Sequence, residues 1–211
     1  STAGIEERRF AGVVVRALNP PPDVALLSQD VRTASLLLRG PRRDLEVMKS
    51  SELFVVVDLS DVGQGAEEPQ VTRIPLSTGL VRVGRDADSA ERLPTGVILL
   101  RGEPEAVSLT LDRVKEVLLD VEVVTEGEPA SGLTLKKSAV QSKVKVTGPA
   151  RLLQRLSSIR TEPIRVDGLR EPLRRRVALQ RQVVSPDYQA IPIRTEPDSV
   201  EVQLDVVATP D

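Results

Sequence analysis

The sequence predicts two tandem, mainly-β domains, each with one short helix, and three observations carry that prediction. Apolar and polar residues alternate with a period of two in several runs, Pro and Gly interrupt those runs at short intervals, and one series of landmarks occurs twice in the 211 residues. Alternation with period two puts apolar side chains on one face of a strand and polar ones on the other. Many short strands bounded by turn residues favour a sandwich or an irregular barrel.

The first copy opens on the apolar strand Gly12-Val13-Val14-Val15-Arg16 and a Pro-rich turn, Asn19-Pro20-Pro21-Pro22. A second apolar run, Leu36-Leu37-Leu38-Arg39, then reaches Gly40-Pro41. Pro at a first helical position loses only an amide that would have no partner, so a short helix is expected after this corner, with Gly40 easing the sharp change of direction. Leu45, Met48 and Leu53 give it helix-like spacing. Val55-Val56-Val57-Asp58-Leu59 follows as a strand, and the copy closes on Glu103-Pro104 with Val107, Leu109 and Leu111 alternating against Ser108, Thr110 and Asp112.

The second copy repeats this order. Leu119-Asp120-Val121-Glu122-Val123 is its first strand, and Val144-Lys145-Val146-Thr147-Gly148-Pro149 is its strand and corner. Leu152, Leu153 and Leu156 mark its helix, Ile164-Arg165-Val166-Asp167-Gly168-Leu169 its apolar–Asp step, and Glu196-Pro197 with Val200, Val202 and Leu204 its close. From Pro41 to Pro104 is 63 residues and from Pro149 to Pro197 is 48, a difference placed as a polar loop insertion at about 84–95. The domains are thus 1–112 and 113–211, with the boundary in Asp112–Glu116.

These landmarks resemble the YbbR domain family, which occurs as tandem repeats in bacterial proteins. The match runs from about Phe10 to Val207 and is carried by Leu18-Asn19-Pro20-Pro21-Pro22-Asp23-Val24, the strand ending Leu38-Arg39-Gly40-Pro41, Val56-Val57-Asp58-Leu59-Ser60 and their second-copy counterparts. The resemblance implies a mainly-β module related in fold to the C-terminal domain of ribosomal protein L25. It also implies an N-terminal membrane anchor outside this segment, an extracytoplasmic location and, as protein partner, a membrane-bound diadenylate cyclase whose cyclic di-AMP synthesis the protein regulates. The family has no accepted catalytic residues to carry over. The 84–95 insertion and the Pro-rich turn depart from its pattern in the first copy.

Composition narrows the chemistry. The chain has no Cys, His or Trp, and its aromatics are Phe10, Phe54 and Tyr188. Thiolate or imidazole metal sites, His-dependent triads, Cys nucleophiles and disulfides are therefore excluded. Lys plus Arg number 29 against 31 Asp plus Glu, a formal charge of -2. A near-neutral chain with few aromatics lacks both the field and the stacking platforms of a nucleic-acid binder, so no nucleic-acid partner is expected. No P-loop or dinucleotide fingerprint occurs. No catalytic, cofactor or metal-binding residue is assigned, and the chain is expected not to be an enzyme. No apolar run is long enough to span a bilayer and no signal peptide opens the chain. It begins at Ser1 with Met48 as its only Met, and reads as a segment of a longer protein.

The candidate interaction site is basic. Residues 151–181 hold nine Arg, among them Arg174-Arg175-Arg176 before the alternating stretch Val177–Val184, which would put Arg174 and Arg176 on one strand face. Such a run either guards a sheet edge against pairing or contacts an acidic partner or anionic surface. Asp86-Ala87-Asp88 superficially opens like a calcium loop but lacks the later glycine and Glu, so it reads as a solvated loop. Lys136 and Lys137 read as flanking a turn, and Phe54 and Tyr188 as core. Two other classes of function remain: a ribosome-associated RNA binder of L25-like fold and a carboxylate-based cell-wall glycan hydrolase.

Overall fold

The computed structural model describes residues 4–62, 69–186 and 188–210, without the side chains of residues 188 and 189, so the reading of Tyr188 as core lies outside them. The chain forms two compact units, Ser1–Arg113 and Val114–Asp211. Both are mainly β, each with one α-helix of five residues.

In the first unit β1 (Ile5–Leu18), β2 (Val24–Gln29) and β3 (Thr33–Pro41) lead into α1 (Arg42–Glu46). β4 (Leu53–Asp58), β5 (Gln70–Pro75), β6 (Val81–Val83), β7 (Glu91–Arg92), β8 (Ile98–Glu103) and the first half of β9 (Ala106–Glu122) complete it. One sheet has the order β7-β6-β4-β1-β3-β8, and β2 and β5 flank β9 in another. Phe10, Val13 and Val15 of β1, Leu36 and Leu38 of β3, Leu45 of α1 and Val55 and Val57 of β4 share one core with Val107, Leu109 and Leu111 of β9. The period-two pattern therefore buries the residues it predicts, and it does so because each sheet has one dry face.

The second unit takes the rest of β9 and adds β10 (Thr125–Glu126), β11 (Leu133–Ala139), β12 (Lys143–Pro149), α2 (Ala150–Gln154), β13 (Ser158–Arg160) and β14 (Ile164–Arg165). It continues through β15 (Leu173–Ala178), β16 (Gln182–Ser185), β17 (Tyr188–Pro192), β18 (Arg194–Glu196) and β19 (Ser199–Ala208). Its main sheet is β13-β9-β12-β18, and β11 and β15 flank β19. Strand for strand this repeats β4-β1-β3-β8 and β2-β9-β5. The parallel pair β1·β4 recurs as β9·β13, and the closing Glu103-Pro104 and Glu196-Pro197 bonds are both cis.

Four local expectations change. The helices are single short turns, and Leu53 opens β4 rather than extending α1, because a 3₁₀ turn at Ser50–Glu52 intervenes. Pro41 and Pro149 sit one position before the helix, as N-caps with extended ψ of 132° and 134°. Each is the last residue of a strand: it has no N–H to continue the ladder, so the strand ends there and the helix starts with the next residue.

Gly40 and Gly148 serve close approach rather than an unusual backbone angle. Both are buried, and neither has a positive φ. A Cβ at Gly40 would lie 2.8 Å from Val97 Cγ2 and 3.0 Å from Val97 Cα, and one at Gly148 would lie 3.2 Å from Ile193 Cγ2. Finally, the register shows that β4 corresponds to β13, not to the Ile164–Asp167 step. Leu18 faces Asp58 as Glu122 faces Arg160, and the N–H groups of Leu59 and Thr161 then donate to Leu18 and Glu122 carbonyls in the same way. Sequence similarity at the Val-Asp step misled because the ladder, not composition, fixes which strands are equivalent.

The inserted segment 84–95 is partly structured. β7 pairs with β6, which extends the first sheet beyond β4. No helix among the described residues is long and apolar enough to cross a membrane.

Candidate interaction surface

Arg174, Arg175 and Arg176 lie on β15, at one side of the three-stranded sheet β11-β19-β15. Val200, Val202 and Leu204 of β19 point inward and are buried. Glu201, Gln203 and Asp205 therefore point outward. Antiparallel partners share a face, so register decides what stands beside each arginine. Arg176 is opposite Glu201, Arg174 is opposite Gln203, and across β19 Lys136 is opposite Asp205. Arg174 and Arg176 thus do share a face, but the same face carries two carboxylates.

The contacts follow that mosaic. Arg174 Nε lies 2.8 Å from Glu201 Oε1, and Arg176 Nη1 donates to Ser199 Oγ at 3.1 Å. Gln203 Nε2 donates to Asp205 Oδ1 at 3.0 Å. Arg175 falls on the opposite face, across from Val202, where it is exposed and bonded to no described residue. Of the run of three, then, two side chains are engaged by the neighbouring strand and one is free.

The other six arginines of 151–181 are spread over several elements. Arg160 Nε is 3.6 Å from Glu122 Oε2 and Arg165 Nε is 3.7 Å from Asp167 Oδ2, each a local pairing within its own strand neighbourhood. Arg151 is on α2, Arg155 follows it, and Arg170 and Arg181 lie in connecting segments. A run that is dense in sequence is thus divided among a helix, several short strands and the segments between them.

The acidic candidates are held by their own turns. Asp86 Oδ1 accepts from Ser89 N at 3.0 Å and Ser89 Oγ at 2.8 Å, and Ala87 between the two carboxylates is buried. The Ser89 side-chain and backbone donors lower the Asp86 pKa below the ordinary value. Asp58 accepts from Ser60 N at 2.9 Å, and that backbone bond, aided by the Ser60 hydroxyl, lowers its pKa too. No group of three or more His, Cys, Asp or Glu that would hold a metal ion occurs among the described residues.

Lys136 and Lys137 lie inside β11, not beside a turn. The turn comes earlier, where Leu133 N donates to Ala130 O at 3.1 Å and Gly132 supplies the left-handed angle, φ 81°. Phe54 is buried. The sequence reading did not mark Arg82 and Arg92, which line one recess of the first unit. They are ten residues apart in a segment of mixed charge, and only the β6–β7 register brings them together.

Comparison with known proteins gives the family. The family described as "YbbR-like protein" matches residues 13–111 and 119–204. The chain therefore belongs to the YbbR-like family and contains two tandem copies of its domain. Among solved structures, a YbbR-like protein from Streptococcus pneumoniae is 15% identical over 97% of this chain and 96% of that one, with a TM-score of 0.49. The protein SuR18C from Streptococcus thermophilus is 17% identical over 46% of this chain and 89% of that one, with a TM-score of 0.35. No curated protein matches the chain.

Proposed function

We propose that this YbbR-like tandem is a non-enzymatic interaction segment of a membrane-anchored bacterial protein, held on the extracytoplasmic side, where it modulates a membrane-bound diadenylate cyclase. The cyclase and the location follow from what the family resemblance implies. The observation that best supports a binding role is the outward face of β11-β19-β15, where Lys136, Arg174 and Arg176 are interleaved with Glu201 and Asp205. Patterned charge of this kind confers specificity and speeds encounter with a complementary surface more than it adds affinity. Arg175, exposed on the opposite face with its side chain unpaired among the described residues, offers a separate cation to an acidic partner or to anionic head groups, where a basic residue contributes roughly 1 kcal/mol.

The parental reading frame and a cyclase assay test this together. An apolar run of about 20 residues upstream is needed for the anchor. Deleting both repeats from the anchored parent should change cyclic di-AMP output in membranes containing the cyclase, and charge reversal of Arg174, Arg175 and Arg176 should weaken co-precipitation with it. Unchanged output after deletion removes the regulatory role, and unchanged binding after charge reversal reduces the arginine strand to edge solvation.

A further inference from the structure

The first unit keeps two like charges face to face. Arg82 on β6 stands directly opposite Arg92 on β7. Such partners project from one face with their Cβ atoms about 5 Å apart, and like charges so placed repel. Neither arginine is neutralised by a bonded carboxylate. Asp58 influences Arg82 only through space, and its carboxylate already accepts from Ser60. Arg92 is exposed, and its side chain makes no hydrogen bond or ion pair with any described residue. The Nε–H of Arg82 is shut away from solvent without an acceptor. A buried donor is ordinarily satisfied, by protein or by something bound.

Both arginines line a recess of about 260 Å³ together with Thr78, Gly79, Thr95 and Gly96, and apolar Leu93, Pro94 and Val97 complete its wall. No carboxylate lines it. Thr78 Oγ1 accepts from Leu99 N at 3.0 Å, which leaves its hydroxyl proton to donate elsewhere. Gly96 sits in the turn that Val97 N closes on Pro94 O at 3.0 Å, with φ 91°, and it presents backbone without a Cβ at the wall. Cations, a hydroxyl donor and bare backbone around a small cavity are the elements of an oxyanion site.

We propose that this recess binds a small phosphate-class oxyanion bridging Arg82 and Arg92. Size sets the class: the cavity falls below the roughly 300–1,000 Å³ of sites for drug-sized ligands. It suits inorganic phosphate or the phosphate of a small ester better than a whole nucleotide. The anion would cancel the Arg–Arg repulsion. In the second unit the β16–β17 hairpin pairs Gln182 with Pro192 and Val183 with Ile191, so its register sets no two arginines opposite each other.

The test uses the full chain at constant ionic strength. Inorganic phosphate and glycerol phosphate are titrated by calorimetry while the Arg82 Nε–Hε resonance is followed by NMR. Vesicles of phosphatidylcholine, with or without phosphatidic acid, form a second arm read by co-sedimentation. The expected result is saturable binding that shifts the Arg82 signal, is about tenfold weaker in the exposed-site variant Arg92→Gln and is unchanged in Arg175→Gln. Binding of the soluble anions assigns a free ligand, and binding confined to phosphatidic acid vesicles assigns a lipid phosphate. Equal binding by the parent chain and Arg92→Gln, or no saturable binding in either arm, overturns the site.

Discussion

The two repeats share a skeleton and differ at its margins. In the first, the parallel strand β4 is covered on its outer side by β6 and then β7; in the second, the equivalent strand β13 is only three residues long, and its outer side is met not by a further strand but by residues 179–180, through Gln180 N donating to Arg160 O at 2.9 Å and a single bridge between Thr161 and Leu179. The second repeat spends the corresponding stretch of chain on the separate β16–β17 hairpin. Apolar alternation and the buried glycine before Pro are needed by both copies, since both pack a strand–helix corner against the residue just before β8 or β18, Val97 or Ile193. Additions at a sheet margin meet no such constraint, so the first repeat can carry an Arg82–Arg92 pair that the β16–β17 register does not repeat.

Substitution of the paired glycines should give the largest contrast between the repeats. Gly40→Ala would press its Cβ on Val97 Cα and Gly96 O as well as on a side chain, whereas Gly148→Ala meets mainly the movable Ile193 side chain at 3.2 Å. The first should cost about 3 kcal/mol and the second under about 1 kcal/mol in chemical denaturation, from the usual range for overpacking. Equal losses would mean that the two corners are equally tight and that the difference in close approach does not matter.

A smaller contrast lies at Leu59 and Thr161, equivalent positions that are both buried. The first repeat places an apolar side chain there. In the second, Thr161 Oγ1 accepts from Val124 N at 3.0 Å. Thr161→Val keeps the shape but strands that amide, so the second repeat should lose about 1–2 kcal/mol, measurable by denaturation and by faster amide exchange at Val124. No loss would show that Val124 finds another acceptor.

The smallest effect is the pH response of the first repeat. Asp58 and Asp86 have folded-state pKa values below the ordinary 3.8 because Ser60 and Ser89 donate to their ionised forms. Their contribution is complete above the unfolded value and is lost as pH falls through the lower folded one. The Asp58→Asn, Asp86→Asn double variant should therefore show a flatter acid limb in unfolding midpoint against pH. An unchanged limb would mean that the serine contacts do not persist in solution.

Much of the skeleton was legible because burial imprints a short period on sequence: Val107, Leu109 and Leu111, like Val200, Val202 and Leu204, announce their strand and its dry face. The helix after each corner was legible too, but its length was not, since Leu45, Met48 and Leu53 fit helical spacing equally well as a helix or as a turn followed by a strand. The arginine run was legible only as composition. Its partners, Glu201 and Ser199, lie 23 or more residues downstream, and nothing local predicts which charge a register will set beside another.

By itself, then, the sequence determined a duplicated, mainly-β, Val- and Leu-packed chain of the YbbR-like type, because periodicity and turn residues act over a few positions. Only the tertiary structure decided that β4 corresponds to β13, that Gly40 and Gly148 are needed for close approach, that Glu201 engages Arg174, and that Arg82 meets Arg92. Each of these depends on strand register, in which a shift of one residue exchanges the two faces and every neighbour with them.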